Sequence, residues 1–118
     1  MSDLISPRVR SMVAAHPVEW EDEGCRYSLP AIDNSDVWRV QYYNHHANWI
    51  TDHIGTDHEA AALIALAWME KLMREYALVQ CRKLEADLFS VYTNCHEYIS
   101  EHIAPSLMDA LAEAVEAL

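Results

Sequence analysis

Residues 56–77, TDHEAAALIALAWMEKLMREYA, decide how the rest of the chain is read. Thr56 and Glu59 stand three apart as a capping box, each side chain meeting the other's free backbone N–H, and Gly55 before them permits a sharp entry. The spacing predicts a helix from that point. Residues 60–69 are apolar on every side, whereas Glu70, Lys71, Arg74 and Glu75 then alternate with Leu72, Met73 and Tyr76. A helix apolar all round has to be covered on more than one face. This stretch is therefore expected to be the central helix of a core.

Upstream, Ser6-Pro7 reads as an N-cap with proline at the first helical position, and Val9, Met12 and Val13 recur at helical spacing. A short helix is predicted up to His16-Pro17. Val18 and Trp20, then Cys25, Tyr27 and Leu29, alternate with polar residues around Gly24, which predicts two antiparallel strands turning near Asp22 to Gly24. Residues 30–35 carry turn chemistry. In VWRVQYY, residues 37–43, Trp38, Val40 and Tyr42 share one face of a strand and are expected to point at the core. Residues 49–54 predict a further short strand.

Downstream, Leu84, Leu88, Val91, Tyr92, Cys95, Ile99 and Ile103 fall on one stripe at helical spacing. A second long helix is expected to run from about residue 80 or 82 to residue 102, joined to the first without a breaker. Pro105-Ser106 opens a final amphipathic helix carrying Leu107, Leu111, Val115 and Leu118. The fold class is α+β: a small antiparallel sheet packed on a central buried helix, with a helical C-terminal half. Residues 1–118 are expected to be a single domain, with residues 1–55 holding the short helix and strands and residues 56–118 the helical part.

A chain of 118 residues, 52% of them hydrophobic, can bury a core of its own. MSDLISPRVR has charges and no apolar h-region, so no secretory signal is expected. The longest apolar run is half of what a membrane span needs. Three cysteines, Cys25, Cys81 and Cys95, without a C-x-x-C pair suit a reducing compartment. A cytoplasmic protein is expected on these grounds.

The net charge is −11, and no lysine or arginine follows Lys83. Direct binding to nucleic acid or to an anionic membrane is disfavoured, because phosphate contacts need clustered Lys and Arg. Acidic residues gather in two places. Glu19, Glu21, Asp22 and Glu23 surround Trp20, an aromatic ringed by charge, which is the composition of an interface hot spot. The alternative is that Trp20 faces inward from a strand whose other face is acidic. Glu97 and Glu101, and Asp109, Glu113 and Glu116, are spaced to line helix faces at roughly 5–6 Å, somewhat less than successive phosphates on one nucleic-acid strand. Such a stripe suits a basic groove on a nucleic-acid-binding protein. It also suits an ordinary solvated face.

No motif names a reaction. His58-Glu59 opens like a zinc-protease helix, but alanine stands where the second ligand histidine belongs. A metal site assembled from His45, His46, His53 and His58 is the one metal arrangement left open, against solvated histidines. There is no G-x-S-x-G elbow and no phosphate-cradling glycine loop. No enzyme activity and no cofactor are expected.

With VEWEDE, acidic C-terminal helices, one compact domain and neither catalytic motif nor export signal, the chain resembles the small acidic accessory proteins that phages and mobile elements encode against host defences, of the anti-CRISPR and anti-restriction kind. The resemblance transfers no functional residue. It implies a protein that sits on a host nucleoprotein machine and blocks access of nucleic acid or an effector subunit. The expected partner is a host protein or nucleoprotein complex with a basic surface. A homo-oligomeric structural or regulatory subunit, such as a homodimer closed by the apolar helices, is the alternative, and a histidine-dependent metal-binding protein comes after it.

Overall fold

The computed structural model describes residues 4–30, 38–43, 50–95 and 98–118. It is α+β, with three helices and two antiparallel sheets, and divides into two compact units, Met1–Ala67 and Trp68–Leu118.

The first unit opens with α1 (Pro7–Ala15), where Ser6 Oγ accepts the Val9 N–H at 3.2 Å and Pro7 occupies the first turn. Val9 and Val13 are fully buried on it. β1 (Val18–Asp22), β2 (Cys25–Leu29), β3 (Arg39–Tyr43) and β4 (Ile50–His53) follow as a four-stranded sheet in sequence order. Trp38 and Val40 are buried, as their alternation predicts, together with Val18 and Leu29 on the same side. The Trp38 carbonyl accepts both the Ile54 and Gly55 N–H groups at 3.2 Å, closing the turn into the next helix, and Gly55 supplies the φ of +92° that this turn requires.

α2 (Asp57–Glu75) carries the Thr56 half of the expected capping box: Glu59 N–H donates to Thr56 Oγ1 at 3.2 Å, and the Glu59 carboxylate accepts from that hydroxyl at 3.0 Å in place of the expected Thr56 N–H. The helix belongs to the first unit as far as Ala67 and to the second from Trp68. Ala60, Ala61, Ile64, Trp68 and Leu72 are its buried stripe. The expectation that its first half is covered all round is corrected here. Leu66 is 69% exposed and, on the same side seven residues on, Met73 is 65% exposed.

In the second unit, β5 (Leu78–Glu85), β6 (Leu88–Cys95) and β7 (Tyr98–Ala104) form a meander, and α3 (Leu107–Glu116) packs against β6 and β7. The long helix expected between residues 80 and 102 is therefore three strands, and the C-terminal half is only partly helical. Side-chain type decides against the helix. Phe89, Val91, Tyr92, Thr93, Ile99 and Ile103 are aromatic or β-branched, lose rotamer freedom against a helical turn and fit a pleated surface. Val91, Thr93 and Ala104 are buried on one face, while Ile99 and Ile103, on the opposite face, are exposed. Ser106 caps α3, accepting the Asp109 N–H at 3.1 Å. Met108, Leu111 and the small residues Ala110, Ala112 and Ala114 are its buried side. Among the described residues no helix is long and apolar enough to cross a membrane.

Candidate partner-binding surface

The β1–β2 hairpin concentrates what the sequence singles out. Glu23 and Gly24 both take positive φ, 49° and 79°, as a tight two-residue hairpin turn requires. The register is regular from Val18↔Leu29 to Asp22↔Cys25. Strand alternation then sorts the residues: Val18, Trp20 and Asp22 lie on one face, Glu19 and Glu21 on the other.

The Trp20 face carries a row of aromatics across the sheet, because Trp20 pairs with Tyr27, Tyr27 with Tyr42, and Tyr42 with Ile50. Trp20 and Tyr27 stack with centroids 5.4 Å apart and planes 6° from parallel, and Tyr42 continues the row at 5.8 Å with a 34° tilt. The three rings are half-buried. Toward Val18, Leu29 and Val40 this face is buried, so the row marks the rim of the core rather than its centre. The Tyr27 phenol is pushed up, first by its partial desolvation in the row and then by Cys25, Asp22, Glu23 and Tyr42 nearby.

Glu19, Glu21, Asp22 and Glu23 are all exposed, and they supply the negative rim. Arg26 on the neighbouring strand reaches Glu19 at 3.7 Å, with both side chains more than half exposed. A pair so solvated contributes on the order of 0–1 kcal/mol and leaves the hairpin negative. β1 is an outer strand of the sheet, so Tyr27 covers one side of Trp20, and among the described residues no strand of the sheet covers the other.

The remaining acidic candidates lie in the second unit. Glu101 is exposed on β7 and not on a helix, so its one-turn partnership with Glu97 is corrected; Glu97 itself lies outside the described residues. Asp109, Glu113 and Glu116 stand on α3 at helical spacing, but only Glu116 is exposed. Asp109 is engaged locally, its carboxylate accepting from the Ser106 hydroxyl at 2.7 Å. These residues do not form one exposed stripe.

His53 ends β4 and His58 stands in the first turn of α2, both exposed, while His45 and His46 lie outside the described residues. Among the described residues no three His, Cys, Asp or Glu side chains come together to hold a metal ion. Cys25, Cys81 and Cys95 are free thiols. Burial pushes the Cys81 thiol up, and its sulfur lies 3.5 Å from the Met69 sulfur.

One cluster escapes sequence reasoning. Arg10 on α1 donates to both Asp57 carboxylate oxygens, at 3.0 and 3.2 Å, and its guanidinium lies 4.9 Å from the centre of the Trp38 ring, whose own N–H donates to Asp57 at 2.8 Å. It joins α1, the start of β3 and the start of α2, and works as a structural clamp. Compared with known proteins, the chain matches no family model, no curated protein and no solved structure.

Proposed function

We propose that this protein is a small, acidic, non-enzymatic binding protein that covers a basic site on a partner. The observation that carries the reading is the β1–β2 hairpin, where four exposed carboxylates border a half-buried Trp20. Carboxylates on the rim speed and orient encounter with a positive surface, while a partly desolvated aromatic supplies the contact area that holds it. The same negative surface argues against direct binding of nucleic acid. In the resemblance to phage-type inhibitors, the partner is a nucleic-acid-handling defence complex of the host and the site of action is the host cytoplasm.

The test is capture of partners from nuclease-treated bacterial lysate on the immobilised chain at low and high salt, in parallel with Glu21→Lys/Asp22→Lys/Glu23→Lys. The reading expects a basic nucleic-acid-handling protein that leaves at high salt and is lost with the triple variant. Equal recovery on both chains would remove the hairpin from the function.

A second reading, a homo-oligomeric structural or regulatory subunit, is favoured by the two exposed large residues on one side of α2, Leu66 and Met73. Sedimentation of the wild type beside Leu66→Glu decides it: a dimer that the substitution dissociates supports this reading, and a monomer in both removes it.

A further inference from the structure

We propose that the free edge of β1 is a docking site for an extended basic segment of the partner, which adds a strand to the sheet and lays an arginine side chain on the open face of Trp20. The inference rests on the reading of the hairpin as the partner surface and names the segment that surface takes.

Three observations converge on it. The first is the edge itself. Chains ordinarily blunt an outer strand with lysine, proline or a bulge, since its unpaired N–H and C=O groups will template another strand. β5 in the second unit shows such blunting, with Arg82, Lys83 and a register shift between Lys83 and Glu85. β1 has neither proline nor bulge within it: VEWED runs in regular register, and its one device is charge, all of it negative, which repels acidic or like strands and leaves the edge open to a basic one.

The second is what that charge selects. If two copies of β1 paired antiparallel about Trp20, Glu19 of each would stand opposite Glu21 of the other, and like charges directly opposite destabilise a pair. A second copy is thereby disfavoured. An incoming strand with lysine or arginine at those two positions meets the opposite charge on both.

The third is the aromatic row. Its rungs are spaced 5.4 and 5.8 Å. A strand added to β1 would lie about 4.8 Å away. The residue opposite Trp20 would therefore become the next rung. Stacking at that distance from a ring that shares its face with the Asp22 carboxylate favours a planar guanidinium, which combines ring stacking with charge. The three consecutive positions that face Glu19, Trp20 and Glu21 thus specify basic, arginine, basic.

The probe is a synthetic peptide with a central arginine flanked on each side by lysine and then valine, titrated at low salt into the isotopically labelled full chain while backbone and indole amide resonances are followed. Three further peptides are its controls: two with N-methyl groups on alternate backbone amides, one in each register, and one with alanine for arginine. Shifts centred on residues 18–22 and the Trp20 indole are expected, lost on N-methylation in the pairing register. Replacing the arginine is expected to weaken binding roughly two- to fivefold. Glu19→Lys/Glu21→Lys, changed only at exposed positions, should lose the lysine peptide and take one carrying glutamates there.

Equal binding of the N-methylated peptides in both registers would show charge attraction without strand pairing and overturn the inference. So would absence of binding while salt-sensitive capture of a basic partner persists, an outcome that leaves the broader function standing. Peptide docking without any captured partner would instead support the edge site and remove the proposed function.

Discussion

The Trp38 indole N–H donates to the Asp57 carboxylate at 2.8 Å, and the same carboxylate receives the Arg10 guanidinium. Asp57 also stands in the first turn of α2, where a negative charge meets the unpaired N–H groups of the helix start. One side chain thus serves the entry of α2, the buried Trp38 and α1. Asp57→Ala is expected to destabilise the fold by about 1–3 kcal/mol, because it leaves the indole donor without a partner as well as removing a partly exposed ion pair. Asp57→Asn, which can still accept from the indole, should cost less. Urea denaturation of the two variants gives the order.

Thr93 is fully buried on β6, and its hydroxyl finds no hydrogen-bond partner among the described residues. A buried hydroxyl without a partner bears its desolvation cost unrepaid. Thr93→Val keeps the shape and removes that atom, so it is expected to be neutral or stabilising by up to about 1–2 kcal/mol. Loss of stability in that variant, measured by thermal or urea unfolding, would show that the hydroxyl is engaged.

Legibility in the sequence followed chemistry at element ends. Ser6-Pro7, the Thr56/Glu59 box and Ser106 each announce a helix because a particular side chain must satisfy particular N–H groups. Gly24 announces the hairpin because it accepts a positive φ. Between β5 and β6, by contrast, the turn is Ala86-Asp87, with neither glycine nor proline, and the apolar residues around it fall by coincidence at helical spacing. There the abundance of aromatic and β-branched side chains was the better signal than period. The Arg10–Asp57–Trp38 clamp joins residues 47 and 19 positions apart and leaves no local trace. Among the acidic candidates, strand alternation made the exposure of Glu19 and Glu21 legible, whereas the pairing of Glu97 with Glu101 fell with the helix that carried it.

At the hairpin turn, Glu23 holds a φ of 49°, a conformation that costs a residue with a side chain about 1–2 kcal/mol relative to one that adopts it readily. Asn before Gly is the favoured pair in such a turn. Glu23→Asn is expected to stabilise the protein by about 0.5–1 kcal/mol. If Glu23 belongs to the partner surface, the same change weakens partner capture. A gain in unfolding midpoint accompanied by weaker capture is the expected outcome.

Tyr27 gives the alkaline response a direction. Its folded-state phenol is raised, so the unfolded chain loses this proton first as pH increases. The stability it contributes is complete below the ordinary phenol value of about 10 and is lost as pH rises through the higher folded value. Ultraviolet titration of the folded protein should show a phenolate step above the ordinary value that is missing in Tyr27→Phe. Above the ordinary value of about 10, the stability of wild type should fall more steeply with pH than that of the variant.

Both sheets are meanders, each strand bonded only to its neighbours in sequence. A hairpin closes in about 1–10 μs, while synthesis adds only about 5–20 residues per second. Every strand after the first in its sheet therefore emerges from the ribosome with its partner already made, and pairing keeps pace with translation. β4 ends at His53, so all four strands of the first sheet have been synthesised before residue 54 is added. No strand has to wait for a segment from the far end of the chain, which shortens the time during which an unpaired hydrophobic strand is open to the crowded surroundings of a nascent protein.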